Sequence, residues 1–219
     1  MKANLLIENQ NVKNANSEIS VLLKRPKSEL PGIGLIYGQT GLGKTRYSMN
    51  TCFSRGWIYY SLLPNDNVKS FLMEIYARVS KQIDGVATEI SGPNYLLEKT
   101  LIKKLQLQTE IVIMIDEFNH LFKNGVKPGM LETIRSIADN TQATILLVGE
   151  EDSKDRIAKY NRHLMNRCSV FCQFKSFSKD DYKTVLNGIS EIEFDDEVVE
   201  LIFKETRGDF RSAVTLATG

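Results

Sequence analysis

Short runs of apolar, β-branched and aromatic residues recur along the chain, at Ile33–Tyr37, Trp57–Ser61, Ile111–Ile115, Thr144–Val148 and Ser169–Phe174. Each has the length of a buried strand. The stretches between them have helical spacing, clearest where Val68, Phe71, Leu72, Ile75 and Val79 make one stripe. Pro128, ahead of Met130–Asp139, marks a helix start. A strand followed by a helix, five times over, predicts a five-stranded parallel sheet covered on both faces, an α/β fold. After Phe174 the strand pattern stops. Phe177–Ile189, Phe194–Thr206 and Asp209–Ala217 read as three short helices, with Asp181, Asp195 or Asp196, and Asp209 in first turns that suit the helix dipole. A weak helical pattern runs from Val12 to Leu23. The expected organisation is a leading segment over 1–30, an α/β core over 31–176 and a small helical lid over 177–219. Gly219 follows soon after the third lid helix begins, so a lid missing a final helix is one reading.

Composition narrows the class. A chain of 219 residues with 42% hydrophobic content can bury a sizeable core, which excludes collagen-like, disordered and disulfide-scaffold proteins. The uncharged stretch Leu30–Gly43 is too short and too polar to cross a bilayer. No secretory pattern opens the chain, and Cys52, Cys168 and Cys172 form no paired framework, so a cytoplasmic location is expected. The net charge is only +1, but between Ser178 and Arg211 ten acids stand against five bases. A basic body of net charge +6 therefore precedes an acidic C-terminal segment.

The chemistry is concentrated in two places. Gly38, Gln39, Thr40, Gly41, Leu42, Gly43, Lys44 and Thr45 match the phosphate-loop pattern in full, between an apolar run and a helical stretch that continues through Arg46. Glycines let backbone N–H groups turn toward phosphate oxygens, and the helix N-terminus favours anions. Lys44 reaches the terminal phosphates and the Thr45 hydroxyl meets Mg²⁺. The second place is Ile111–Ile115, an apolar strand closing in Asp116 and Glu117. Beside a phosphate loop, Asp116 suits the Mg²⁺ shell and Glu117 suits the polarisation of an attacking water, so ATP hydrolysis is expected.

A phosphate loop, a strand ending in Asp-Glu and a helical lid together resemble the AAA+ ATPases. Three further runs, Asp116–Leu121, Leu131–Thr141 and Ile145–Glu150, are similar to the target-selection ATPases of transposition, the group of the B protein of Mu-like phages and its transposon relatives. Thr206–Arg211 resembles the lid motif of the same group. The resemblance implies an arginine finger at Arg167, with Arg162 as runner-up, acting on a neighbouring subunit's ATP. It also implies a nucleotide sensor at Arg211. The first sensor is left open among Glu150, Thr144 and no residue. A finger acting in trans needs head-to-tail packing, hence a ring or helical filament. Double-stranded DNA, bound without sequence preference, and a partner transposase are the implied partners.

Candidate DNA contacts are Lys99, Lys103 and Lys104, on one helical stretch, and Lys123 and Lys127, around a loop after the acidic strand. A solvated helix face explains such lysines equally well. His120 after Glu117, and Cys168 before Cys172, make no full metal-ligand set, and Trp57, Tyr59 and Tyr60 are expected to pack rather than stack on bases. Two other classes fit the same motifs: a nucleotide-controlled scaffold or switch acting on a protein partner, and a small-molecule kinase, for which no acceptor pocket is readable.

Overall fold

The computed structural model describes residues 6–27, 29–108, 110–123, 125–190, 193–206 and 212. Five strands, β1 (Gly32–Gly38), β2 (Ile58–Ser61), β3 (Val112–Asp116), β4 (Thr144–Gly149) and β5 (Cys168–Phe174), form one sheet in the order β2-β3-β4-β1-β5. All four pairings are parallel, as the alternation of strand and helix predicts. Each expected strand is present within one or two residues of its expected bounds.

Because side chains alternate across a strand, the sheet sorts its residues onto two faces. Ile33, Leu35, Ile113, Ile115, Ile145 and Leu147 point to one cluster. It is covered by α3 (Val68–Asp84), α4 (Asn94–Leu105) and α6 (Pro128–Asn140). Ile36, Val112, Met114, Leu146, Val148, Val170 and Cys172 point the other way, under α1 (Gln10–Leu23), α2 (Lys44–Arg55) and α9 (Lys179–Ile189). Strands buried on both faces explain why the sequence runs are continuously apolar rather than alternating.

Local signals set the helix ends. The Asn9 side chain accepts from the Val12 N–H at the start of α1, and Asn67 and Ser70 make a reciprocal capping box on α3. Pro128 is the first residue of α6, where its missing N–H costs nothing. Ser178 caps α9, with Asp180 and Asp181 in the first turn. Two lid helices are thus present, α9 and α10 (Asp196–Thr206), joined by a Tyr182–Thr206 hydroxyl contact of 2.7 Å. Of the expected third helix, Asp209–Ala217, only Ser212 is among the described residues. Three short helices were not foreseen as separate elements: α5 (His120–Lys123), α7 (Ser153–Tyr160) and α8 (Arg162–Met165).

α1 is tied in on several sides. Val12, Ala15, Ile19 and Leu22 are buried against the sheet. Asn11 exchanges two hydrogen bonds with the Lys175 backbone, the Gln10 N–H donates to Asp181 of α9, and Asn16 accepts from the Tyr47 hydroxyl of α2. At the loop that follows, Arg25 turns inward and donates to the carbonyls of Leu22, Leu30, Gln142 and Ala143 and to the Thr144 hydroxyl. Among the described residues no helix is long and apolar enough to cross a membrane.

Candidate active site

The site is built at the C-terminal ends of β1, β3 and β4. After β1 the chain turns at Gly38, where φ is 152° and an added Cβ would lie 2.3 Å from the Phe174 carbonyl oxygen. Only glycine fits between the loop and β5 there. Leu42 is buried in the second cluster and anchors the loop from below. Gly43, with φ 84°, opens α2 without a side-chain cap, so first-turn amides of α2 have no side-chain acceptor at that end. Lys44 curls back over the loop, its Nζ donating to the carbonyls of Gly38 and Gln39 at 2.7 Å each. Burial pushes its pKa down, against the pull of Asp116, Glu117, Glu150 and Glu151, which all lie near it. A glycine-rich turn that runs into the uncapped N-terminus of α2, with an ammonium group folded back over it, fits a polyphosphate.

Asp116 is 3% exposed at the end of β3. Its Oδ1 accepts the Glu117 N–H at 2.8 Å and its Oδ2 accepts the Tyr59 hydroxyl at 3.0 Å. Burial raises its pKa, while the bonds from the Glu117 backbone, Thr45 and Tyr59 favour the charged form. The Thr45 hydroxyl in the first turn of α2 and the Asp116 carboxylate at the end of β3 are hard oxygen donors at the same end of the sheet, a pair that fits Mg²⁺. Among the described residues no group of three His, Cys, Asp or Glu side chains could hold a metal by itself, so phosphate oxygens and water would complete the shell.

Glu117 has φ 55°, the one non-glycine residue in the left-handed region among those described. That backbone turn points it away from the strand direction, and the Phe118 N–H locks the turn by donating to the Val148 carbonyl of β4 at 2.9 Å. Asn119 follows, 1% exposed, with its amide between Glu117 and Glu150. His120 Nε2 lies 3.8 Å from Glu117 Oε2.

The remaining expected residues are dispersed. Arg167 stands just before β5, at the sheet end opposite the phosphate loop, where it bonds the Asp139 carboxylate and the His163 carbonyl. Arg162 is exposed at the start of α8. Arg211 lies outside the described residues. Of the two first-sensor alternatives, Glu150 sits at the site, whereas Thr144 sits at the far end of β4 on Arg25. Lys104 pairs with Asp84, Lys123 with Glu150, and Lys127 donates to the carbonyls of Pro64 and Asp66. Lys99 and Lys103 are exposed on α4 with no ion-pair partner among the described residues. The cysteines are buried and free, with burial pushing the Cys52 and Cys168 thiols up to about 12 and Cys172 up to about 11.

Sequence reasoning missed two site residues. Tyr59, expected only to pack, reaches Asp116 because β2 lies beside β3, with Ser61 opposite Asp116. Asn119 carried no signal, since its second partner is 31 positions away.

Residues 27–157 match the family model of an AAA domain. The chain is 26% identical over 140 residues to an uncharacterized protein of Methanocaldococcus jannaschii, covering 61% of this chain and 28% of that one. It is 25% identical over 215 residues to a potential ATP-binding protein of Staphylococcus aureus, covering 82% and 76%. Among solved structures, the Aeropyrum pernix ORC2 protein in its ADPNP-ADP complexes superposes with a TM-score of 0.72 at 16% identity, over 99% of this chain and 64% of that one. The Aeropyrum pernix ORC1 protein in complex with DNA gives 0.65 at 17%, over 96% and 58%. The Thermotoga maritima RuvB Holliday junction branch migration motor gives 0.58 at 19%, over 97% and 61%. The chain thus spans under a third of the first of its curated relatives and about three fifths of these solved chains.

Proposed function

From a chain that belongs to the AAA domain family of P-loop ATPases, we propose an ATPase that assembles head to tail on duplex DNA and directs or stimulates a partner transposase. One observation carries the ATPase part: the phosphate loop of β1 and the Asp116-Glu117 pair of β3 converge on one sheet end, with Lys44 between them. Lys44 leaves the Gly38 and Gln39 carbonyls to meet terminal phosphate oxygens. Thr45 and Asp116 would hold Mg²⁺, which would supply charge neutralisation of the phosphate oxygens. Glu117 orients a water and takes up its proton. Arg167 completes the adjacent subunit's site, and Arg211 reports nucleotide state from the lid.

The DNA part is supported by the basic body of residues 1–177, the exposed lysines Lys99 and Lys103, and solved neighbours described as a DNA complex and a branch migration motor. The transposase part rests on the likeness of Asp116–Leu121, Leu131–Thr141 and Ile145–Glu150 to target-selection ATPases. A cytoplasmic setting suits both. The test is electron microscopy with ATP and Mg²⁺, with and without duplex DNA, alongside ATPase rates across a salt series. Ordered assemblies that need both ligands, and turnover stimulated by DNA in a steeply salt-sensitive way, are expected. A second reading, a nucleotide-controlled scaffold acting on a protein partner, is favoured by the internal engagement of Lys104, Lys123 and Lys127. DNA-independent assembly and turnover would select it.

A further inference from the structure

We infer that Asn119 is a positioning residue for ATP hydrolysis, holding the Glu117 carboxylate from a buried amide whose other anchor is Glu150. The inference rests on the ATPase reading and adds to it a residue outside the phosphate loop and the acidic pair. Asn119 Nδ2 donates to Glu117 Oε2 at 3.3 Å and to Glu150 Oε1 at 3.2 Å. Both amide hydrogens are thereby spent on carboxylates from the ends of two adjacent strands. The far anchor is itself fixed, because Lys123 Nζ donates to the same Glu150 oxygen at 2.8 Å.

Glu117 needs such a holder. Its main chain is pinned by its own N–H to Asp116, by its carbonyl to the His120 N–H at 2.9 Å, and by the next residue's N–H to Val148. Its side chain is 43% exposed, however, and three torsions are free to swing the carboxylate away from the phosphate loop. Of the other groups near it, His120 is at 3.8 Å, too far for a hydrogen bond, and the Lys44 ammonium is engaged with the Gly38 and Gln39 carbonyls. An amide is suited to the position. It donates twice to two anions, and it carries no charge that would quench the basicity of Glu117. An ammonium group there would quench it, and a carboxylate would repel both neighbours.

Misplacing a catalytic group by about 1 Å can cost on the order of 10²-fold in rate. Asn119→Ala is therefore expected to lower kcat about 10- to 100-fold while KM and the calorimetric Kd for ATP stay within about twofold. In a Glu117→Gln background the same change should cost nothing further, because Asn119 acts only through Glu117. Glu150→Gln retains an acceptor for the amide and should keep more activity than Glu150→Ala. Should Asn119→Ala not fold, the near-isosteric Asn119→Asp takes its place, with a similar loss of kcat expected. A crystal structure of Asn119→Asp should show the Glu117 carboxylate turned away from its present place while the Phe118–Val148 bond persists. Unchanged kcat in both Asn119 variants, a loss that tracks Kd or thermal stability, or an unmoved Glu117 in the Asp variant would each overturn the proposal. Wild-type protein that binds ATP without hydrolysing it would instead sink the ATPase reading, and the Glu117 position in the Asp variant would still decide this one.

Discussion

Replacing Arg167 by alanine tests whether the active unit is one chain or a junction of two. Ile33 pairs with Cys168 and Gly38 with Phe174, so β5 runs the length of the sheet between Arg167 and the phosphate loop. Six residues of strand cover roughly 20 Å, and an extended arginine side chain reaches only about 7 Å. Arg167 therefore cannot touch the nucleotide of its own loop, and any effect on turnover must act on a neighbour's. A guanidinium finger contributes on the order of 10³ in rate, so Arg167→Ala should be nearly silent, as should Glu117→Gln. Mixed in equal amounts, random head-to-tail junctions pair an intact Glu117 with an intact Arg167 about a quarter of the time, and turnover should recover to about that fraction of wild type. The assay is phosphate release at fixed total protein over a series of mixing ratios, with the maximum near equality. No recovery at any ratio, while both variants bind ATP and co-assemble, removes Arg167 from the finger role. The same pattern from Arg162→Ala would transfer it.

Lys44→Ala should abolish ATP binding by calorimetry, whereas Glu117→Gln should bind normally and hold the ATP-bound assembly; wild-type turnover in the latter would take Glu117 out of its role. Arg25→Ala removes five donated bonds at a residue that is 9% exposed and should lower unfolding stability by about 3 kcal/mol, read as a lower urea midpoint at unchanged slope. A midpoint within error of wild type would mean that water replaces the side chain there. Lys99→Ala with Lys103→Ala should weaken duplex DNA uniformly across sequences and flatten the salt dependence by about two phosphate contacts' worth. If they are solvated bystanders, neither quantity moves.

The strands and the phosphate loop were legible in the sequence because their signals are local. Ile111–Ile115 needs no neighbour to read as a buried strand, and the spacing of Gly38, Gly43 and Lys44 is itself the geometry of the cradle. Residues whose role depends on a distant partner were not legible. Tyr59 becomes a site residue only because β2 pairs with β3, and Asn119 only because β3 and β4 end side by side. The same blindness affects the lysines. Nothing near Lys104 or Lys127 in the chain announces Asp84 or the Pro64 carbonyl, so all five basic candidates look alike until the fold engages three of them. α7 and α8 merge in the sequence into one basic stretch, and Asn161, which caps α8 by accepting from the Leu164 N–H, is what divides them.

The segment that carries the recognisable signature differs from the segment that can fold. Residues 27–157 stop short of β5 and begin after α1. A fragment trimmed to those limits would bare the open edge of β1 along Ile33–Gly38 and uncover the face now shielded by Val12, Ala15, Ile19 and Leu22. An unpaired strand beside a naked apolar surface invites aggregation. Grafting or shuffling this module would therefore have to carry its amino-terminal helix and fifth strand as a matched set.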